Sequence, residues 1–153
     1  MELRKKVDKV LGWALIVIMS LMVVNVLWQV FSRYITGSPS SYTDELSRYL
    51  MIWVGILGAA YVSGRNMHVA IDVIPMRVKP RTQKILYSIV NTFIILFALF
   101  ALVVGGFRLV YISHTLGQHS PALNMPLAFV YTVLPISGLL IIYYKATDLI
   151  YKK

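Results

Sequence analysis

The sequence contains no cysteine and very few charged side chains. Asp and Glu together number six, Lys and Arg number 15, and charged residues make up 14% of the 153 positions, against 58% hydrophobic residues. The absence of cysteine excludes disulfides and thiolate chemistry. With a mean hydropathy of +0.72, the composition is typical of a membrane protein.

Charges are also missing from long stretches of the chain. A bilayer core of about 30 Å needs roughly 20 helical residues to cross it. The sequence therefore predicts an all-α integral membrane protein, a single domain over 1–153 with four transmembrane helices at approximately 10–34, 42–64, 84–108 and 125–146. A basic segment before an apolar one can also indicate a signal peptide. The uncharged run from Val10 to Ser32 is too long for that and lacks a small-residue cleavage site, which favours an uncleaved first span.

The basic excess falls mainly on one side of the predicted membrane. A net charge of +9 would suggest nucleic acid as a partner of a soluble protein. If the N-terminus is cytoplasmic, only Arg33, Arg48 and Arg108 among the Lys and Arg residues lie on the outer side. This is the positive-inside pattern, so we expect both termini in the cytoplasm, membrane lipid around the chain and no nucleic-acid partner. The apolar segment within 65–84 is predicted to lie in the membrane interface.

Groups that could hold a cofactor or a metal are scarce. His68, His114 and His119 all fall in predicted loops, so no facing pair is available for haem and no spacing fits a metal site. No nucleophile with an obvious base stands in the spans, so we expect neither a cofactor nor enzyme activity. Ionisable groups are also absent from the middle of every predicted span. An ion-coupled carrier would be expected to keep such groups there, which makes transport by this chain alone a poor interpretation.

Weakly polar and small residues recur at helical spacing. The polar set lies on the outer half of the first helix: Asn25, Gln29 and Arg33. The small set lies on the second helix: Gly55, Ala59 and Ser63. In hydrocarbon the polar set needs a protein partner, and the small set permits close approach of another backbone. Either set could pack within the four-helix unit or contact another subunit.

Three charged residues mark the start of the second predicted helix. Ser41 and Asp44 fit a capping box, and acidic residues in a first turn suit the helix dipole. Arg48 can pair with either Asp44 or Glu45 at helical spacing, and the short preceding loop returns Arg33 to the same level. We therefore expect a compact cluster of Arg33, Glu45 and Arg48 at the outer boundary. An ordinary exposed helix start with snorkelling side chains is the alternative.

Two prolines mark the fourth predicted helix. After an outer loop over 113–124, Pro126 is expected in the first helical turn. Pro135 is expected inside the helix, where it removes a backbone donor and kinks the chain.

Several segments in order carry a family resemblance: WQVFSRY at 28–34, DELSRY at 44–49, Trp53 with Gly58, RNMHV at 65–69, SPALNMP at 120–126, Tyr131 and Pro135. Over nearly the whole chain they resemble the small membrane subunit of tripartite ATP-independent periplasmic (TRAP) transporters, the DctQ-like family. The resemblance implies two protein partners, a large multi-span membrane subunit and a periplasmic substrate-binding protein. It also implies sodium-driven uptake of an organic acid, such as a dicarboxylate, sialic acid or a sugar acid, across the bacterial inner membrane.

In that family the substrate and sodium sites belong to the large subunit, which is thought to move as an elevator. The resemblance implies that the small subunit braces the scaffold of the large one and helps to dock the binding protein. Because the sequence ends at Lys153, we expect a standalone small subunit. The alternatives are a self-sufficient small four-helix carrier and a membrane anchor subunit of another complex.

The resemblance also assigns candidate residues. Those that match the charged and aromatic motif of the family are implied to serve assembly: Arg33, Glu45, Arg48 and Trp53. Neighbouring interface candidates are Trp28, Gln29, Asp44, Gly55 and Ala59. Candidates for docking the binding protein are Arg108, His114, Gln118 and His119.

Overall fold

Four helices long and apolar enough to cross a membrane make up most of the structure. The computed structural model describes residues 2–35, 37, 40–65 and 80–151. The four candidate spans are Glu2–Ile35, Ser41–Gly64, Ile85–Thr115 and Leu127–Ile150. The predicted all-α class with four spans is confirmed. Most of the predicted interfacial segment lies outside the described residues, and the orientation of the termini stays a prediction.

The first helix, α1 (Glu2–Ile35), extends well beyond the apolar run. Its 34 residues correspond to about 50 Å of helix, against a hydrocarbon core of about 30 Å. The basic residues before Val10 are therefore carried on a helical extension of the span. A short connection leads to α2 (Ser41–Gly64), which packs against α1.

The start of α2 differs from the prediction. Ser40 is the N-cap residue, with φ −78° and ψ 110°, and its side chain makes no capping hydrogen bond. Ser41 is already helical, so the predicted capping box of Ser41 with Asp44 is wrong. Instead, the Thr43 hydroxyl donates to the Ser40 carbonyl at 2.8 Å.

The third span combines three helical segments. It begins with α3 (Pro80–Phe97), continues through a π-helical segment (Ala98–Val104) and ends with α4 (Gly105–Thr115). The helix thus extends beyond the predicted 84–108 at both ends, and His114 lies in its last turn and not in a loop as predicted. The π-helical segment adjoins the fourth span closely, since a Cβ at Gly138 would lie 2.8 Å from the Leu102 Cβ.

The fourth span is interrupted close to its first residues. It consists of α5 (Leu127–Tyr131) and α6 (Val133–Tyr151), and Pro126 is the N-cap of α5, one position before the predicted first turn. The break at Thr132 lies one turn before Pro135. Because Pro135 has no N–H to donate to the Tyr131 carbonyl, the ladder loses a bond there. The expected disturbance by Pro135 is therefore present as a break between two helices.

The fourth span forms the centre of the bundle. In its most apolar window 44% of the residues are buried, against 6% for α1. It contacts both α2 and the third span. The buried core consists of Leu11, Leu57, Ala60, Ala98, Val133, Ile141 and Tyr144. Most of the surface of α1 is consequently left for lipid or for another protein.

Candidate functional site

Polar side chains of α1 fasten the hairpin that it forms with α2. The Asn25 amide donates to the Thr43 carbonyl and to the Ser47 hydroxyl, both at 2.7 Å. One turn later in α1, the Gln29 amide donates to an Asp44 carboxylate oxygen at 3.5 Å. Two members of the predicted polar set therefore pack within this chain. The third, Arg33, is exposed in the last turn of α1.

The charged residues at the start of α2 divide between two directions. Arg48 forms an ion pair with Asp44 at 2.7 Å, and the two side chains are 71% and 51% exposed. Glu45 instead makes its hydrogen bonds with the outer loop and with Tyr49. Within the described residues, the predicted cluster of Arg33, Glu45 and Arg48 does not form. Arg48 pairs with Asp44, its neighbour at i−4 on the helix. Glu45 is bound instead by residues distant in the sequence.

Glu45 binds the outer loop to α2. Its Oε2 accepts the backbone N–H groups of Ala122 at 2.8 Å and Leu123 at 3.1 Å. Its Oε1 accepts the hydroxyl of Tyr49 at 2.8 Å. A carboxylate that accepts several hydrogen bonds makes a stronger anchor than a neutral group would. The loop is thereby attached to a helix 77 residues earlier in the chain.

The outer loop is also closed by its own backbone. The Ser120 N–H donates to the Met125 carbonyl at 2.9 Å, and the Leu127 N–H donates to the Gln118 carbonyl at 3.0 Å. Asn124 adopts a left-handed conformation with φ 53°, which Asn tolerates better than most residues. The loop is consequently an ordered projection between the third and fourth spans.

The four candidates for docking the binding protein lie at two levels. Gln118 and His119 are exposed on the outer loop, and His114 is exposed in the last turn of α4. Arg108 is exposed on α4 six residues before His114, which places it about 9 Å further back along the helix. The first three therefore lie at the same end of the bundle, near the end of α4 and in the loop after it.

The remaining interface candidates separate into inward and outward groups. Trp53 stacks on Phe129 with ring centroids 5.8 Å apart and so packs within the bundle. Trp28 is 57% exposed. Gly55 and Ala59 are exposed on α2, whereas Ser63 is buried. The small-residue stripe is thus divided between a surface and the core.

A second polar cluster, at the opposite end of the bundle, was missed by the sequence analysis. Arg4 donates to Asp148 at 2.7 Å and also to the Gly64 carbonyl. The Tyr144 hydroxyl donates to Asp8 at 2.5 Å, and Tyr144 is fully buried. We call these five residues the inner clamp. Its members come from α1, α2 and α6, so local spacing gives no signal for it.

Gly64 is required by the packing of the inner clamp. A Cβ at this position would lie 2.7 Å from the ring of Tyr144. Such a distance is shorter than any carbon contact allows, so only glycine permits α2 to approach α6 this closely. One end of each of the three helices α1, α2 and α6 lies at this point.

Comparison with known proteins decides the family. Residues 22–152 match the model of the family described as tripartite ATP-independent periplasmic transporters, DctQ component. The chain belongs to the DctQ family. It is a small membrane subunit of a TRAP transporter, a transporter component and not an enzyme. DctQ subunits are multi-pass proteins of the inner membrane and pair with a large membrane subunit.

Relatives of this DctQ protein carry consistent names. A Haemophilus influenzae protein named as a TRAP transporter small permease protein is 30% identical over 135 residues, which cover 88% of this chain and 82% of the relative. A second protein of that organism with the same description is 25% identical, covering 90% of this chain and 82% of the relative. The isethionate TRAP transporter permease protein DctMQ of Oleidesulfovibrio alaskensis is 27% identical, covering 84% of this chain but 22% of the relative.

Proposed function

We propose that this DctQ subunit braces the large membrane subunit of a sodium-gradient-driven TRAP transporter for an organic acid, and that its outer loop helps to dock the binding protein. Both termini lie in the cytoplasm in this proposal, which puts the outer loop in the periplasm. The observation that carries it is the division of α2. One side is fastened to α1, the outer loop and α6, while Gly55 and Ala59 on another side are exposed.

The exposed side of α2 supports the brace. Among the described residues, nothing lies within 4 Å of a Cβ built at Gly55. Small residues let a neighbouring backbone approach closely in a membrane, whereas lipid tails gain nothing from them. Met51, one turn before Gly55, is 62% exposed and extends the same side. A helix of the large subunit would fit this surface.

Added bulk on this surface tests the brace. We expect Gly55→Leu with Ala59→Leu to reduce the amount of large subunit that co-purifies in mild detergent severalfold, because the larger side chains hold the partner helix away. The thermal stability of the small subunit itself should change little, since exposed positions tolerate substitution.

The matched control is Ala101→Leu, which adds the same side chain to an exposed position of the third span. This variant should leave co-purification unchanged. Full co-purification of the double variant would refute the proposed contact between the large subunit and this surface of α2. An equal loss of large subunit with Ala101→Leu would show that the contact is not specific to α2.

The outer loop supports the docking role. Its backbone is closed by internal hydrogen bonds and anchored through Glu45. An ordered surface binds a partner without a large loss of conformational entropy. His114, Gln118 and His119 supply polar groups on it.

The family and the name of one relative support an organic acid as the substrate. The name of the Oleidesulfovibrio alaskensis relative includes isethionate, a small organic anion. The run of α1 from Val10 to Ser32 has no charged residue. This supports substrate and sodium sites in the large subunit and not in this one.

Reconstitution tests the transport function. Proteoliposomes that hold this chain and the large subunit, supplied with the binding protein, should take up a labelled organic acid only with an inward sodium gradient. Liposomes with this chain alone, or with potassium in place of sodium, should show background uptake. Uptake by this chain alone would favour the second candidate, a self-sufficient carrier.

A further inference from the structure

A basic cleft of about 400 Å³ opens between the first turns of α1 and the end of α2. Three cationic side chains line it: Lys5, Lys9 and Arg65. Lys5 and Lys9 stand one turn apart on α1 and are both exposed. The guanidinium of Arg65 lies 5.0 Å from the ring centre of Tyr61, a contact that holds the cation at the cleft.

The cleft has a net positive charge. Asp8 is the one carboxylate among the described residues that line it. Its Oδ1 accepts the Tyr144 hydroxyl at 2.5 Å, so this carboxylate is engaged with the inner clamp. The three cations therefore face the cleft with one anion directed partly away from them. A ligand with one or two negative charges would complement this arrangement.

The other wall of the cleft is apolar. Trp13 and Ile16 line it and are 60% and 56% exposed. Their side of α1 continues outward into the apolar run, where Val17 is 52% exposed. Trp is enriched at the level of lipid headgroups, so the cations lie on the aqueous side of Trp13 and the apolar wall lies on the hydrocarbon side.

We propose that this cleft binds one anionic phospholipid, with the headgroup phosphate between Lys5, Lys9 and Arg65 and an acyl chain along Trp13 and Ile16. A small free anion would contact the cations and leave the apolar wall exposed to water. Only a ligand with both a phosphate and a hydrocarbon chain covers the whole cleft. Each cation near an anionic membrane surface contributes a modest attraction. The cleft places three such cations beside an apolar wall, so that one lipid can contact all of them.

Lipid retention in detergent tests the site. The full-length chain, purified with its accompanying large subunit, would be incubated with phosphatidylglycerol, phosphatidylcholine or glycerol 3-phosphate, and bound lipid would be counted by native mass spectrometry. We expect phosphatidylglycerol to be retained and to raise the melting temperature, and the other two to do neither at the same concentration. Lys9→Gln should weaken phosphatidylglycerol binding about fivefold.

Lys6→Gln is the matched control, because Lys6 has the same charge and is exposed on α1 but does not line the cleft. Equal weakening by Lys6→Gln and Lys9→Gln would show nonspecific attraction and overturn the site. Equal stabilisation by glycerol 3-phosphate would show a free-anion site and also overturn it. Ile16→Ser should reduce lipid retention without changing any charge, and full retention would refute the acyl-chain contact.

Discussion

Arg4→Gln is expected to lower the free energy of unfolding by about 3 kcal/mol, because it leaves the Asp148 carboxylate buried without its counter-ion. Asp148 is only 2% exposed, and Arg4 is 25% exposed. The same change removes the bond from Arg4 to the Gly64 carbonyl. Thermal unfolding of the purified chain in detergent, compared with the unaltered chain, measures the loss.

The chain supplies its own control for this result. Arg48 and Asp44 form an ion pair of the same 2.7 Å length, but their side chains are 71% and 51% exposed. Exposed pairs are screened by water, so Arg48→Gln should cost about 0.5 kcal/mol or less. An equal loss in the two variants would contradict the role assigned to burial.

A double variant separates the charge from the packing. Arg4→Gln combined with Asp148→Asn removes the buried charge along with its partner, so it should be more stable than Arg4→Gln alone. If the double variant is no better, the loss comes from packing of the arginine stem and not from an unpaired carboxylate.

The sequence predicted those features that depend on neighbours along the chain. Hydropathy located four spans, the spacing of Asn25 and Gln29 marked a polar face of α1 without saying what it packs against, and Pro135 marked a disturbance in the fourth span. Each rests on periodicity or on the chemistry of one residue. Such predictions hold in the folded protein because helix geometry alone fixes the relative positions of residues close in sequence.

Partner choice across the chain was not predictable in the same way. By helical spacing Arg48 could pair with either Asp44 or Glu45, yet Glu45 binds the backbone N–H groups of Ala122 and Leu123. Backbone donors carry no sequence signature, since every residue except proline has one. The Arg4–Asp148 pair joins residues 144 positions apart, and they meet because α2 packs against both α1 and α6.

The two anchoring points give α2 a particular place in the bundle. At its outer end Glu45 holds the loop between the third and fourth spans, and at its inner end the Gly64 carbonyl accepts Arg4. Hydrogen bonds fix both ends, while the exposed Gly55 and Ala59 lie between them. A helix held at both ends and open in the middle is suited to brace another protein without moving itself.

Glu45→Ala is expected to release the outer loop and to reduce binding-protein-dependent uptake. The Ala122 N–H loses its acceptor, whereas the Leu123 N–H keeps the Ser120 hydroxyl at 3.2 Å. Amide hydrogen exchange should therefore accelerate on the order of tenfold or more at Ala122 and less at Leu123. In proteoliposomes, a loosened docking surface should raise the binding-protein concentration needed for half-maximal uptake, with less effect at saturation.

Two neighbouring variants decide whether the loop anchor is responsible. Asp44→Ala removes a carboxylate from the same turn, but its ion pair is exposed, so exchange at Ala122 and uptake should both stay near the values of the unaltered chain. Glu45→Gln keeps an oxygen for the loop amides, and the Tyr49 hydroxyl can accept from the new amide, so its effects should be intermediate. Unchanged exchange in Glu45→Ala would disprove the anchor. Faster exchange with unchanged uptake would support Glu45 as the anchor of the loop but refute a role of that anchor in docking the binding protein. The ordered loop would then serve only the stability of this subunit.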